Sequence, residues 1–189
     1  MTLSLNLKEY TSAAHQQLEK ELIKRLKSKA LESDYLAILQ VFYGFVHALE
    51  TEIFKYVDES VLPDFSERRK SDWLVNDICS VGGNQKDIPQ ATDLPLIQNK
   101  FQAFGALYVM EGSTLGGEII SKMLVGKLGD QGAKGLTFFK SYGEETAGMW
   151  KRFKDVLDGI SINQDTEKQV LVSADQTFLK FKHWIEKND

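Results

Sequence analysis

The sequence contains little of the chemistry that cross-links a chain or interrupts its helices. Its 189 residues include one cysteine, Cys79, and three prolines. A single cysteine excludes an internal disulfide and a metal cluster built on several thiolates, and we interpret it as a reduced, small apolar residue. So few prolines leave long stretches of the chain free to be helical.

Other absences concern location and partners. No segment reaches the roughly 18 uninterrupted apolar residues of a membrane span, and the N-terminus lacks a basic region followed by an apolar run. The net charge is −4, whereas nucleic-acid binders usually carry a basic surplus. We therefore expect a cytoplasmic protein that binds neither membrane nor nucleic acid.

Apolar residues recur every three or four positions along most of the chain, which indicates an all-α fold. A capping box at Asp64 and Glu67 predicts a helix that runs to about Ile78, and Asp93 is the predicted cap of a long helix from near Pro95 to about Leu124. Further helices are expected over about 5–28, 34–57, 144–160 and 164–187, and Ser33 is the predicted cap of the second of these. Loops are expected at 82–95 and around Gly129, Gly132 and Gly135. Residues 1–189 should form a single domain, a bundle of about six to eight helices.

The long helix carries a glycine-rich stretch in its middle, LYVMEGSTLGGEII. Gly112, Gly116 and Gly117 interrupt it, and each interior glycine destabilises a helix by roughly 0.5–1 kcal/mol relative to alanine. Two explanations are open: close packing of a neighbouring helix on the face of Gly112 and Gly116, or close approach of the backbone to a flat ligand. The spacing alone slightly favours helix packing.

Three histidines are present, His15, His47 and His183, and a lone histidine on a helix is usually a packed or surface residue. His15 differs because Glu19 follows four residues later, so both side chains face the same way. A carboxylate in that place can hold the second ring nitrogen of a metal-ligating imidazole. Alone, the pair is more simply a surface pair worth roughly a few tenths of a kcal/mol.

Three segments together resemble the haem oxygenase family. LKEYTSAAHQQLE around His15 is similar to the family's proximal helix, and LYVMEGSTLGGEII to its distal helix. FFKSYGEETAGMWKRF is similar to a later helical region of bacterial members, including those associated with bacteriophytochromes. The segments follow the family's order and span nearly the whole chain.

The resemblance implies a haem-oxygenase-like helical bundle that cleaves haem to biliverdin, carbon monoxide and ferrous iron. Haem would be both cofactor and substrate, with O2 as oxidant. Reducing equivalents would come from an external electron donor such as a ferredoxin or a reductase. A phytochrome-like protein that accepts the bilin would be a further partner.

The same resemblance assigns residues to the two sides of the haem. His15 matches the axial ligand of the iron, and Glu19 matches its hydrogen-bond partner. The distal wall, where missing side chains let the backbone lie close over the porphyrin, is matched by Gly112, Ser113, Gly116 and Gly117. Mammalian-type members carry an aspartate at the position of Ser113. Without it, water near the bound oxygen would be ordered by backbone groups. The sequence does not indicate which biliverdin isomer would form.

Contacts with the haem propionates are also implied. Lys8 matches such a residue, and its seven-residue distance from His15 is two helical turns, roughly 10 Å. Tyr108 matches a tyrosine in some bacterial members, and Lys151 or Arg152 would supply another contact, with no basis for a choice. Each of these side chains is equally well explained as a solvated charge or a packed phenol.

Two alternatives remain open at this point. One is a haem-binding protein without turnover, used for storage or sensing. The other is a helical protein of similar architecture without haem, such as a thiamin-degrading enzyme, whose nucleophile would have to be Cys79.

Overall fold

The computed structural model describes residues 2–28, 32–128, 134–160 and 162–188, and within these ranges it contains α-helices and no β-strand. The helices are α1 (Leu3–Tyr10), α2 (Ser12–Ser28), α3 (Glu32–Ile53), α4 (Asp72–Ser80), α5 (Lys100–Leu128), α6 (Thr137–Lys140), α7 (Thr146–Gly159) and α8 (Gln164–Lys187). Single 3-10 turns lie at Phe65–Glu67 and Gly143–Glu145. The predicted all-α class is confirmed.

A continuous apolar core runs through the bundle. Its fully buried rings Phe45, Phe104, Phe139 and Phe153 come from α3, α5, α6 and α7. The long helices α5 and α8 pack along each other, α1 and α2 cover α8, and α3, α6 and α7 surround α5. The described helices share this one core, and a single domain over 1–189 stays a prediction.

The helix α3 is the most apolar long helix of the fold. By length and composition Asp34–Ile53 could cross a membrane, but 61% of this stretch is buried against the rest of the protein. Such burial is typical of a core helix.

The predicted helix over 5–28 is two helices that meet at Thr11. The backbone N–H of Thr11 donates to the Leu7 carbonyl, and its carbonyl accepts from the His15 N–H, both at 2.9 Å. Its hydroxyl also donates to the Leu7 carbonyl at 2.7 Å, a local bond that bends helices. Hydrogen bonding therefore continues through the junction, and Lys8 stays about two turns before His15.

The prediction of a helix starting at Asp64 is wrong. Asp64 makes no capping bond, because both of its carboxylate oxygens accept from the Arg68 guanidinium at 2.9 Å. The chain forms only the short turn Phe65–Glu67, and α4 begins at Asp72.

The predicted start of the long helix is also wrong. Asp93 pairs with Lys180, and α5 begins at Lys100, where the Asn99 side chain accepts from the N–H groups of Phe101 and Gln102 at 2.9 and 3.1 Å. By contrast, α7 and α8 lie close to their predicted bounds. The predicted cap Ser33 and the glycines Gly129 and Gly132 lie outside the residues whose side chains or backbone are described.

Candidate functional site

His15 lies on the open side of α2, with one ring face against α8. The ring centroids of His15 and Phe178 are 5.0 Å apart. Its Nε2 lies 3.3 Å from Glu19 Oε1, and the imidazole is 52% exposed. In this orientation the Glu19 carboxylate lies on the Nε2 side of the ring. The predicted contact between His15 and Glu19 is therefore present, on a side chain that a ligand can reach.

An apolar cleft lies among α2, α3, α5 and α8, and its lining begins two helical turns beyond His15 on α2. It holds about 270 Å³ of empty space, part of it open to solvent, and its lining includes Leu22 of α2 and Ile120 of α5. The enclosed part of this space is only about 10 Å³, which is room for about one water molecule, so a larger ligand would have to lie where the cleft opens to solvent. Leu22 lies two helical turns after His15, and Ile120 one turn after Gly116, so each pair shares a helix face.

The structure separates the three glycines of the distal motif. A Cβ placed on Gly116 would meet nothing within 4 Å, and one on Gly112 would lie 3.5 Å from the Trp150 ring. On Gly117 it would lie 2.1 Å from the Phe139 carbonyl oxygen. Close helix packing therefore explains Gly117, whereas Gly116 leaves an open surface on α5.

The Ser113 hydroxyl accepts a hydrogen bond from a buried arginine, Arg69, which no sequence pattern indicated as a site residue. Arg69 Nη2 donates to Ser113 Oγ at 2.6 Å and to the Met110 carbonyl at 2.7 Å. Burial lowers the pKa of Arg69, and the nearby Glu111 carboxylate opposes that change. The position of Ser113 is thus fixed by the charged Arg69 side chain as well as by the backbone of α5.

Arg68, the neighbour of Arg69, belongs to a second buried polar group. Arg68 Nη1 and Glu111 Oε2 are 2.6 Å apart, with side chains 2% and 3% exposed. The Tyr142 hydroxyl donates to Glu111 Oε2 at 3.2 Å and accepts from the Arg69 backbone N–H at 2.7 Å. Burial raises the pKa of Glu111 even though Arg68 opposes the change. The one sequence signal for this group was Glu111, a charged residue directly after the apolar run 103–110 of α5.

The predicted propionate contacts lie in different surroundings. Lys8 is exposed on α1, and Tyr108 is 8% exposed, with its ring 5.3 Å from that of Trp150. Lys151 pairs with Asp155 at 2.6 Å, and Arg152 pairs with Asp64 at 3.3 Å. Because Lys151 and Arg152 each have a carboxylate partner, these contacts do not indicate which of the two would bind a propionate.

The other histidines and the cysteine fit their non-catalytic interpretations in part. His47 stacks on Tyr43 at 5.0 Å, and its Nδ1 lies 3.1 Å from Ser71 Oγ, so it is a packed residue. His183 is exposed. Cys79 is a free cysteine, exposed near the end of α4.

The donor set fits haem rather than a metal held by side chains alone. Among the described residues, no group of three or more His, Cys, Asp or Glu side chains could hold a metal ion. An iron bound by His15 would need its remaining ligands from its own cofactor, as porphyrin nitrogens provide. The apolar lining of the cleft and the open surface at Gly116 suit one face of a flat, largely apolar macrocycle, which would lie in the part that is open to solvent.

Comparisons with known proteins agree with this chemistry. The family model for heme oxygenase matches residues 1–187. Heme oxygenase PigA of Pseudomonas aeruginosa is 27% identical over 187 residues, which cover 97% of this chain and 91% of that protein. A heme oxygenase of Xanthomonas campestris pv. campestris is 30% identical over 128 residues, or 61% of this chain and 76% of that protein.

Solved structures show the same fold. The NO- and CO-bound heme oxygenase from Neisseria meningitidis has a TM-score of 0.78 at 21% identity, covering 100% of this chain and 92% of that one. Heme oxygenase from Leptospira interrogans has a TM-score of 0.78 at 20% identity, covering 99% and 100%. The structural likeness shows the fold. The family match over nearly the whole sequence shows that this chain belongs to the haem oxygenase family, the oxidoreductases that degrade haem to biliverdin.

Proposed function

We propose that this enzyme binds haem between α2 and α5, with His15 as the protein ligand of the iron and the Gly112–Gly116 turn as the opposite wall. The observation that carries the proposal is the open surface at Gly116. Gly116 lies on α5, and Ile120 of that helix lines the apolar cleft. Leu22, on the same helix as His15, lines the same cleft. Ligand approach thus accounts for Gly116, where packing does not.

His15 and its neighbours would orient the ligand. The Glu19 carboxylate, 3.3 Å from the ring, would fix the tautomer of the imidazole and make it a stronger donor. The buried Phe178 ring, with its centroid 5.0 Å away, limits the rotation of the imidazole. Bound haem supplies the iron chemistry that activates O2, with electrons from an external donor such as a ferredoxin or a reductase.

The distal residues would place the reacting edge of the substrate. The backbone of Gly112 and Gly116 would lie close to the porphyrin because neither residue has a Cβ. Gly117 contributes indirectly, since its missing side chain lets α5 sit directly on the Phe139 carbonyl. Ser113, whose hydroxyl is already occupied by Arg69 and Met110, would fix the backbone rather than contact O2 freely.

The propionates would be held at the surface end of the cleft by Lys8 and Tyr108, and by Lys151 or Arg152. The Lys151–Asp155 pair is exposed, with side chains 74% and 61% accessible. Exposed pairs of this kind are worth about 0–1 kcal/mol. A propionate could therefore replace Asp155 with little loss of free energy.

The surroundings of the enzyme follow from the same proposal. An acidic chain with a net charge of −4 is consistent with a cytoplasmic enzyme that meets a soluble electron donor. A phytochrome-like protein would accept the bilin in organisms that use it as a chromophore.

The test is an absorption time course of the haemin-reconstituted protein in air with ascorbate or a ferredoxin system. We expect the Soret band to decay into biliverdin bands, with release of carbon monoxide and of iron that a ferrous chelator traps. A complex that merely becomes oxygenated or autoxidises, with no carbon monoxide, would contradict turnover and favour a haem-binding protein of the same fold.

A further inference from the structure

The Met110 carbonyl, two residues before Gly112, receives more donors than a helical carbonyl usually does. In a regular helix it accepts from the Thr114 N–H. Here Ser113 Oγ also donates to it at 2.7 Å, as does Arg69 Nη2 at 2.7 Å. A carbonyl oxygen has two lone pairs, so these donors compete with the helical bond. Hydroxyl bonds to the preceding turn also bend helices.

The arginine that makes this contact is itself rigidly anchored. Arg69 is 7% exposed, and its Nη1 donates to the Phe138 carbonyl and to Ser141 Oγ, both at 3.2 Å. Its guanidinium lies 4.0 Å from the centroid of the Phe138 ring. The start of α6 is fixed in turn, because Asp77 accepts from the N–H groups of Thr137 and Phe138 at 3.0 and 2.8 Å. The planar guanidinium therefore links α6 to α5 through two nitrogens.

We propose that Arg69 is a positioning residue, which acts through Met110 and Ser113 to set where the Gly112–Gly116 turn lies over the substrate. This inference rests on the proposed function, since it gives a role to a turn that the proposal places against haem. Two facts support it together. Arg69 bonds the Ser113 hydroxyl within that turn and the Met110 carbonyl just before it, and the same guanidinium is fixed at its other end on α6. The position of the turn then sets which meso edge of the porphyrin is attacked.

The chain offers a matched pair of serines to test this role. Ser113 and Ser141 each supply one hydroxyl to the same guanidinium, but only Ser113 is on α5. Ser113→Ala removes the contact on the glycine turn, and Ser141→Ala removes a contact on the anchor side. Arg69→Met keeps an unbranched side chain but loses every donor. Arg69→Lys keeps the charge, yet a single ammonium cannot span both sides.

The first measurement is amide hydrogen exchange of residues 112–117 in the apoprotein, which does not depend on haem. Arg69→Met should speed this exchange by about tenfold or more, because charge-assisted bonds to the turn are lost. Ser113→Ala should speed it several-fold, and Ser141→Ala should leave it within about twofold of wild type. Wild-type exchange in Ser113→Ala, or equal acceleration in both serine variants, would overturn the inference even if Arg69→Met does not fold.

The second measurement is the ratio of biliverdin isomers formed in single-turnover reactions. Ser113→Ala and Arg69→Lys should shift this ratio from that of wild type, whereas Ser141→Ala should not. An unchanged ratio in both test variants would overturn the role in positioning. If wild-type protein bound no haem, the proposed function would fail, while the exchange experiment would still decide whether Arg69 holds the turn.

Discussion

Alanine in place of Gly116 and of its neighbour Gly117 should have opposite effects on the apoprotein. The Cβ added at Gly116 meets open space, and the one added at Gly117 lies 2.1 Å from a backbone oxygen of α6. Gly126, also on α5, has nothing within 4 Å of its Cβ and lies beyond the proposed haem contact. Gly126→Ala is therefore the matched control for the effect of alanine on the helix itself.

The magnitudes follow from helix propensity and packing. Alanine stabilises a helix interior by roughly 0.5–1 kcal/mol relative to glycine, and 1 kcal/mol changes Tm by about 2–4 °C in a chain of this size. Gly116→Ala and Gly126→Ala should each raise the apoprotein Tm by about 1–4 °C. At Gly117 a clash of roughly 1–3 kcal/mol outweighs the propensity gain, so Tm should fall by several degrees.

Haem affinity then separates the two stabilised variants. A methyl group at Gly116 would push the backbone from the porphyrin, and we expect at least about a tenfold weaker Kd, or roughly 1.4 kcal/mol. Gly126→Ala should bind as wild type does. Thermal melts of the apoprotein and haemin titration followed at the Soret band provide both measurements. The reasoning is refuted if Gly116→Ala binds haem with wild-type affinity, or if Gly117→Ala is the more stable apoprotein.

Three further predictions concern the scaffold. Asp77→Ala should lower the free energy of unfolding by about 1–2 kcal/mol in urea titrations, because the first N–H groups of α6 lose their acceptor; an unchanged midpoint would count against this. Asn163→Ala should lose about 0.5–2 kcal/mol through the capping box of α8, measured in the same way. Burial raises the pKa of Glu50 above its usual 4.5, so the native carboxyl keeps its proton to higher pH than the unfolded one. The free energy of unfolding should then fall as pH rises through that raised pKa. Glu50→Gln should flatten this fall, and equal slopes in both proteins would contradict the assignment.

Periodicity predicted the helices whose polar and apolar faces are continuous along the sequence. Both α7 and α8 lie within about two residues of their predicted bounds, since a helix that covers a core needs a regular apolar stripe. The errors at Asp64 and Asp93 have a different origin. Each carries a local capping signal, but its carboxylate bonds instead to a cation, Arg68 in one case and Lys180, distant in sequence, in the other.

The candidate site likewise contains residues that local sequence predicts and residues that depend on contacts distant in sequence. The contact of His15 with Glu19 was predictable because it lies within one turn of one helix. The glycines were recognised as unusual, but telling Gly116 from Gly117 requires the position of Phe139, which sequence spacing does not contain. Arg69 was missed for the same reason, since its partners lie about 40 and 70 positions away along the chain.

Haemin titration of His15→Ala, with and without added imidazole, tests the central claim most directly. We predict that the wild-type absorption spectrum is lost in the variant and returns when free imidazole replaces the missing ligand, while His183→Ala keeps the wild-type spectrum. A wild-type spectrum in His15→Ala without imidazole would show that the iron ligand is another residue.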